Sequence, residues 1–241
     1  MPGFGTLINV IGIIAGGAAG FFFGKFLTER IQDTVNKACG ISVLFIGTAG
    51  AMECMLSVDG AALSSGHSML IVLSLVVGAL IGEIINIEGL FERFGEWLKI
   101  RSGNAKDSRF LDAFVTSSLT VCIGAMAIVG AIQDGLYGDY SILATKTVLD
   151  LIIIMVMTCS MGIGCIFSAI PVAVFEGVLT LLAGFLKPIM TDAALFNLSL
   201  VGSILIFCVG VNLLWEKKIR VANFLPAVVI AVIFAFLPVE L

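Results

Sequence analysis

The sequence contains little from which a metal or redox site is built. Its 241 residues include one histidine, His67, and six cysteines, none of them in a Cys-x-x-Cys pair. A site made of nitrogen and sulfur ligands therefore has few candidate residues, and we interpret the cysteines as small apolar side chains. We expect no bound metal and no other cofactor.

Charge is equally scarce. Charged residues make up 12% of the chain, hydrophobic residues make up 59%, and the mean hydropathy is +1.15. This composition excludes an ordinary soluble domain and predicts an integral membrane protein. Because the apolar runs are continuous and not alternating, they favour helices over the strands of a barrel. The predicted fold class is all-α: a single domain, 1–241, forming a polytopic bundle of roughly seven or eight transmembrane helices.

The apolar segments are long enough to cross about 30 Å of hydrocarbon. In the first segment Lys25 follows the apolar run instead of preceding it, which is the reverse of a secretory signal peptide. We therefore expect an uncleaved first span. The predicted spans are 6–26, 38–56, 68–87, 110–132, 141–165, 169–187, 198–215 and 224–241.

Lysine and arginine are concentrated in alternate connections between the spans. Because positive residues are retained in short cytoplasmic loops, odd-numbered spans are predicted to run inward, with both termini outside. Amphipathic stretches near these connections, including IEGLFERFGEWLK at 87–99, are predicted to lie along the cytoplasmic interface. The basic connections contain Lys25, Arg30 and Lys37, then Arg93, Lys99, Arg101, Lys106 and Arg109, then Lys217, Lys218 and Arg220.

Two stretches of the chain resemble each other. Each has two glycines four residues apart, then an adjacent Glu-Arg pair, then a span ending in Ile-Gly, and SILIFCVG at 203–210 is a third variant of that last span. Such repeats are common in transporter folds, where they are often inverted, although glycine-rich apolar spans also resemble one another by composition alone. The predicted units are about 6–56, 68–132 and 169–215.

The first span carries glycine at every fourth position. Such a face exposes bare backbone, and small-residue faces provide close helix packing in lipid. We predict a packing seam, either within the fold or at a dimer interface. The residues are Gly12, Gly16, Gly20 and Gly24.

A charged pair lies inside the fifth predicted span. Lys146 and Asp150 are four residues apart and share a helix face with Thr158 and, approximately, Gly162. Asp150 lies about 13 Å below the outer end of the span, at ~1.5 Å per residue. A charge at such depth costs roughly 2.5–3.5 kcal/mol on insertion scales, so it is normally turned toward a partner or an aqueous cavity. We predict that these residues line a substrate or ion pathway in which Asp150 binds a cation or exchanges a proton and Lys146 is its partner, although the long stem of Lys146 also allows snorkelling.

The helix is then interrupted by Gly162, Gly164 and Pro171, with Ser168 in between. Non-helical backbone at membrane depth is tolerated where it lines a cavity, which predicts a broken helix or re-entrant region near 160–176 that contributes to the pathway. The alternative is a tight turn between two spans at the cytoplasmic face.

Further polar residues are candidates for the same pathway. Glu176 is a second acid within a span, five residues after Pro171. Thr116 and Thr120 form a four-spaced stripe in the fourth predicted span, where an ordinary hydrogen bond between helices is an equally good interpretation.

These residues also carry a resemblance to a known family. Its parts are Lys146-x-x-x-Asp150, Gly162-x-Gly164-x-x-Phe167-Ser168-Ala169-Ile170-Pro171-Val172, GAMAI at 124–128, GTLIN at 5–9 and NFLPA at 223–227. The chain resembles the bacterial YdfK/YqgA-like family, the domain of unknown function 554. The resemblance covers nearly the whole chain and implies a multi-spanning protein of the bacterial inner membrane. It implies no substrate and no catalytic residues.

Three kinds of function remain open. A secondary transporter or exporter of a small solute or ion, coupled to a proton or cation by a buried acid, accounts for the repeats and the interrupted helix. A channel needs the polar stripe without a coupled acid, and a membrane scaffold needs neither. An enzyme is not expected, because His-Glu-x-x-His and Gly-x-Gly-Asp are absent and no serine is paired with the histidine in a recognisable motif. The expected partners are the lipid bilayer, a small solute or ion and a second copy of the chain, with no nucleic acid.

The predicted topology can be tested in a cysteine-free variant that carries one new cysteine at a time. A membrane-impermeant maleimide added to intact cells should label Asp59→Cys and leave Ser102→Cys unlabelled, because only the latter lies in a basic connection. Permeabilised cells, in which both should react, provide the control. Labelling of Ser102→Cys in intact cells would contradict the orientation.

Overall fold

The computed structural model describes residues 2–59, 62–215 and 219–237, in which helices predominate and one short hairpin occurs. Strands β1 (Leu56–Asp59) and β2 (Ala62–Ser65) pair antiparallel. Short 3₁₀ helices, Ile163–Ser168 and Val221–Phe224, directly precede the eighth and eleventh α-helices. The α-helices are α1 (Phe4–Gly24), α2 (Glu29–Met55), α3 (Ser68–Ile85), α4 (Ile87–Arg101), α5 (Phe110–Cys122), α6 (Ala125–Tyr137), α7 (Ser141–Met161), α8 (Ala169–Leu181), α9 (Ala183–Leu186), α10 (Asp192–Leu214) and α11 (Leu225–Phe234).

Six helical segments of the described chain are long and apolar enough to cross a membrane: α1, α2, α3, α7, α10 and the continuous segment Ile163–Leu181. The pair α5 and α6 forms a seventh candidate span, bent by 61°. The segment Val221–Phe234 is apolar but shorter, and residues 238–241 of the last predicted span lie outside the described residues. The all-α, polytopic membrane fold is confirmed.

Contacts between connections sort the helix ends into two sides. On one side, which we call the basic side, Arg220 lies 2.7 Å from Glu83, and the backbone N–H of Ala222 donates to Glu88 over 3.0 Å. The basic connections after α3 and before α11 therefore lie together, as the predicted topology requires. Lys217 and Lys218 lie outside the described residues. On the opposite side, Phe4 packs edge-on against Tyr140, with ring centres 5.1 Å apart, and His67 packs likewise against Phe196.

The unwound backbone predicted near 160–176 lies between α7 and α8. Gly162 has a φ of 102°, and the following 3₁₀ helix runs directly into α8. The helix is therefore broken where the sequence predicted an interruption, and the segment joins two candidate spans, as in the tight-turn alternative. A second interruption, which we did not predict, divides the predicted span 110–132 between Cys122 and Ala125.

Four glycines allow α1 to pack closely against α7. A Cβ atom at Gly16 would overlap the backbone carbonyl of Leu151, so the two backbones are in direct contact. The contacts advance by four residues along both helices, which therefore run parallel. This seam lies within the fold. The pairs are Gly12–Thr147, Gly16–Leu151, Gly20–Met155 and Gly24–Cys159.

Glycine has the same role at two other helix pairs. A Cβ atom at Gly47 of α2 would lie 2.5 Å from the backbone nitrogen of Phe207 in α10. One at Gly82 of α3 would overlap the carbonyl of Asn223, just before α11. In lipid, which gives helices no hydrophobic reason to associate, this backbone proximity supplies the van der Waals contact that holds them together.

The glycine seam predicts a position-specific effect of adding a single methyl group. Gly16→Ala should destabilise the protein by about 1–3 kcal/mol, because α7 must move away from α1. Gly177→Ala is the matched control: a Cβ atom there meets nothing within 4 Å, and alanine favours the helix. Thermal unfolding in detergent measures both variants. Equal melting temperatures for the two would show that the seam does not contribute to stability.

Candidate functional site

Four buried polar side chains meet between α1, α7 and α8. Asn9 on α1 is 0% exposed, Lys146 and Asp150 on α7 are 6% and 4% exposed, and Glu176 on α8 is 1% exposed. We call these residues the buried charge cluster. The structure thus unites three residues that the sequence suggested, Lys146, Asp150 and Glu176, with a fourth that it did not.

Lys146 connects the members of the cluster. Its ammonium group forms an ion pair with Asp150 Oδ2, one helical turn further along α7. It lies 3.7 Å from Glu176 Oε1 and donates a hydrogen bond of 2.8 Å to the backbone carbonyl of Val121. Asp150 and the Val121 carbonyl accept hydrogen bonds from the ammonium group, whereas Glu176 is too distant for a hydrogen bond and forms an ion pair with it. These partners belong to α7, α5 and α8. The lysine is held inward and does not snorkel.

The cluster contains two carboxyl groups and one ammonium group, so full ionisation leaves one excess negative charge. An uncompensated charge in a buried site is strongly unfavourable, and such sites normally take up a counter-charge or change protonation. A proton or a small cation is therefore required to neutralise the cluster.

Two oxygen atoms of the cluster have no hydrogen-bond partner among the described residues. Asn9 donates from Nδ2 to Glu176 Oε1 over 2.8 Å, but Asn9 Oδ1 and Glu176 Oε2 are both buried and unpaired. Buried polar atoms are nearly always satisfied, so unpaired oxygens next to an excess charge indicate a place where something exchangeable binds.

The Val121 carbonyl that accepts the hydrogen bond from Lys146 lies at the break in the α5–α6 span. Val121 is in the last turn of α5, and Gly124 has φ 156° and ψ 148°, a region restricted almost entirely to glycine. The end of α5 leaves backbone carbonyls without intrahelical partners, and Lys146 satisfies one of them. The charge cluster and the broken span are therefore one structural unit.

A cavity of about 1080 Å³ lies on the basic side, and none of its lining residues belongs to the buried charge cluster. Its lining includes Asp112, Thr116 and Leu119 of α5. Leu119 precedes Val121 by two residues, which corresponds to about 3 Å along the helix axis. The other walls include both acidic and basic residues. Among them are Glu29, Asp33, Lys37, Glu88 and Arg109.

The predicted threonine stripe of α5 is only partly in the cavity. Thr116 contributes to its lining, whereas Thr120 donates a hydrogen bond of 2.8 Å to the Thr116 carbonyl within the helix. Ser117 and Ser118 are fully buried and likewise donate to carbonyls one turn back. The hydroxyl protons of Thr120, Ser117 and Ser118 are therefore used within α5.

The interrupted region contributes to packing and not to the cluster. Gly164 packs against the backbone carbonyl of Phe110, and Ser168 donates to the Cys165 carbonyl over 2.7 Å. Pro171 is the third residue of α8, where its missing N–H would have no intrahelical partner. The structure leaves Gly162, Gly164, Ser168 and Pro171 at the basic end of α8.

Thr158 is also separate from the cluster. It lies eight residues beyond Asp150 on α7, about 12 Å along the axis. It lines a smaller cavity of about 190 Å³ with Gly162 and Phe21. Its hydroxyl is buried without a hydrogen-bond partner among the described residues.

Two buried polar residues were missed by sequence reasoning. Asn9 occurs in the sequence within the motif that carries the family resemblance, but no role was predicted for it. Asp134 on α6 is 0% exposed and accepts a hydrogen bond of 2.9 Å from the Gly5 backbone N–H. A lone acid three residues from a helix end looks like an interfacial residue in the sequence, which is why it gave no signal.

Among residues 2–59, 62–215 and 219–237, no three histidine, cysteine, aspartate or glutamate side chains are placed to hold a metal ion. The functional groups of the buried charge cluster are carboxyl, amide and ammonium groups.

The apolar spans, with polar residues enclosed between them, define a multi-spanning membrane protein. The chain belongs to the family described as protein of unknown function DUF554, whose model matches residues 4–236.

Two relatives resemble the chain over almost its whole length. It is 30% identical to the uncharacterized membrane protein YdfK of Bacillus subtilis (strain 168) over 238 residues, which cover 97% of this chain and 98% of the relative. It is 28% identical to the uncharacterized protein YqgA of Escherichia coli (strain K12) over 232 residues, 94% of each chain. No solved structure matches the chain.

The cluster predicts that Lys146 and Asp150 stabilise the fold as a pair. Lys146→Met should cost about 3–5 kcal/mol of unfolding free energy, because it leaves two buried carboxyl groups without a cation, and adding Asp150→Asn should recover part of the loss. Chemical denaturation in detergent measures these effects.

The matched control is the i,i+4 pair Asp33 and Lys37, whose side chains are 59% and 57% exposed. Its removal should cost about 1 kcal/mol or less. If Lys146→Met were as mild as Lys37→Met, the buried pair would not hold the cluster together.

Proposed function

We propose that the protein is a secondary transporter or exporter of a small solute or ion in the bacterial inner membrane, coupled to a proton or small cation. One observation carries this proposal: a buried cluster with one carboxyl group in excess is anchored to the break of a membrane span. Intramembrane acids mark ion pathways, and broken spans mark substrate sites in transporters. The proposal assigns binding roles only and no catalytic residue.

The surroundings of the cluster differ on the two sides. The cavity on the basic side approaches the broken span from Asp112 to Leu119. On the opposite side, one helical turn beyond Asn9 and Glu176, α1 and α8 are in contact through the hydroxyls of Thr6 and Thr180, which lie 3.4 Å apart. Access from one side at a time is the requirement of an alternating-access transporter, and this asymmetry supports the proposal.

The contacts give the two acids different roles. Asp150 is paired directly with Lys146, so it serves as the permanent counter-ion. Glu176 lies further from the ammonium group and retains an unpaired oxygen, so it is the acid that exchanges a proton or cation. When Glu176 gives up its bound cation, its charge competes with Asp150 for Lys146. The movement of Lys146 would change its hold on the Val121 carbonyl and thus on the broken span.

The solute must first be identified. A thermal-shift screen of ions, amino acids and other metabolites on the purified protein should reveal ligands, because a compound that binds the native state raises its apparent stability. The labelled ligand is then used for uptake into proteoliposomes with and without an imposed pH or sodium gradient.

Glu176→Gln should fold normally and lose gradient-driven accumulation while retaining solute binding, because the amide keeps the shape of the side chain without its charge. Glu53→Gln, an exposed acid on α2, is the matched control and should transport normally. Flux through the wild type that ignores both gradients would favour a channel, and binding without flux would favour a scaffold. Normal accumulation by Glu176→Gln would contradict the coupling role.

A further inference from the structure

Helix α4 has an apolar face that the rest of the described chain leaves uncovered. Leu90, Phe94, Trp97 and Ile100 are between 39% and 71% exposed. They follow one another at intervals of four and three residues, so they share one side of the helix. Trp97 stacks on Phe94, with ring centres 5.9 Å apart. The face is therefore a continuous aromatic and aliphatic surface.

The other side of α4 is fixed to the body of the protein. Leu98 is buried, and a Cβ atom at Gly95 would lie 2.9 Å from the side chain of Phe114 in α5. At the start of the helix, Glu88 accepts a hydrogen bond of 3.0 Å from the backbone N–H of Ala222. These contacts determine which face of α4 packs inward and which faces the surroundings of the protein.

The exposed face of α4 continues the exposed apolar surface of α3. Helix α3 is a candidate span, and Ile84 and Ile85 at its end are exposed. Asn86, with φ 54°, then ends α3 and begins α4 on the basic side. The exposed apolar surface resumes at Leu90, about one helical turn later. Lipid that surrounds the end of α3 is therefore adjacent to the apolar face of α4.

Two arginines lie along this apolar face. Arg93, Trp97 and Arg101 succeed one another at steps of four residues and so form one row. Both arginines are exposed, and neither guanidinium group has a hydrogen bond or an ion pair among the described residues. Glu92 and Glu96 form a separate row, about 100° or more around the helix from Trp97. The positive charge of the apolar face is thus not neutralised within α4.

The residue types of this row suit the headgroup layer of a bilayer. Tryptophan is enriched at the membrane–water interface, where its ring contacts apolar chains and its N–H reaches the polar layer. A guanidinium group forms paired hydrogen bonds with phosphate oxygens. A tryptophan with one arginine a turn away on each side can therefore bind the phosphate of a lipid whose chains cover Leu90 and Phe94.

We propose that the row Arg93, Trp97 and Arg101 is a docking surface for anionic phospholipids of the leaflet on the basic side. An anionic headgroup is favoured over a zwitterionic one, because the positive group of the latter opposes the attraction of the two arginines. A second copy of the chain is disfavoured, because a two-fold contact would bring each row against its own copy and place like charges together. The inference is independent of the proposed transport function.

Trp97 itself reports which lipid lies on α4. The chain has two tryptophans, so Trp215→Phe leaves Trp97 as the sole tryptophan fluorophore. This protein is reconstituted into vesicles of equal parts phosphatidylglycerol and phosphatidylcholine, with quenching bromine atoms on the chains of one lipid or of the other. Quenching should be stronger when phosphatidylglycerol is brominated. Arg93→Gln and Arg101→Gln should each lower its relative binding roughly fivefold, and the double variant should show little preference.

Arg30→Gln is the matched control, because Arg30 is exposed on the basic side but lies on α2. It should leave the lipid preference unchanged, and every variant should melt like the Trp215→Phe protein because the replaced side chains are exposed.

Three results would overturn the proposal. Equal quenching by the two brominated lipids would show that the row does not select anionic lipid. Loss of the preference in inorganic phosphate, but not in chloride of equal ionic strength, would assign the row to a free anion. Quenching by neither lipid would show that lipid does not cover α4, and cross-linking of Trp97→Cys between two chains would then identify a second copy as the occupant.

Discussion

The ammonium group of Lys146 is the charge on which the arrangement of the site depends. A cation buried among apolar helices requires partners, and Lys146 donates hydrogen bonds to Asp150 and the Val121 carbonyl and forms an ion pair with Glu176. Each of these three partners belongs to a different helix. The lysine therefore ties together α7, α8 and the end of α5, and it stabilises a break in a membrane span whose free carbonyl would otherwise be unsatisfied.

The glycine seam brings α1 close enough to α7 for side chains of α1 to take part in the cluster. Because the α1 backbone lies directly against α7, the side chains next to the seam can reach a third helix across a short distance. Asn9 is on α1, and it donates to Glu176 on α8. A bulkier α1 face would move Asn9 away from Glu176, so packing at the seam and polarity in the cluster are coupled through the position of α1.

The sequence predicted the parts of the structure that depend on local pattern. Continuous apolar runs identify spans because lipid requires them, and Lys146 and Asp150 were recognised as a pair because residues four apart share a helix face. The Val121 carbonyl and the break at Gly124 were missed. Every residue has a backbone carbonyl, so the sequence does not show which one accepts a hydrogen bond, and a helix break within an apolar run does not change the hydrophobic pattern of the span. Asn9 was missed because its importance lies in a contact with Glu176, 167 positions away. The residues from Gly162 to Pro171 lie between two candidate spans and apart from the buried charge cluster, a placement that the sequence did not distinguish from an interruption at mid-membrane.

Helix α1 contacts α7 and α8 in different ways, and this difference suggests how access to the cluster would change. Along α1 and α7, backbone meets backbone at four successive turns. Between α1 and α8 lie the Asn9–Glu176 bond and, one helical turn further toward the opposite side, the contact of Thr6 with Thr180. The second set is polar and includes the acid whose charge state would change during coupling. In the proposed cycle, neutralising Glu176 would weaken its hydrogen bond with Asn9, whereas the seam of α1 and α7 contains no charged group. In the proposed cycle, α1 and α7 therefore move as one body against α8, and the charge of Glu176 determines when they separate.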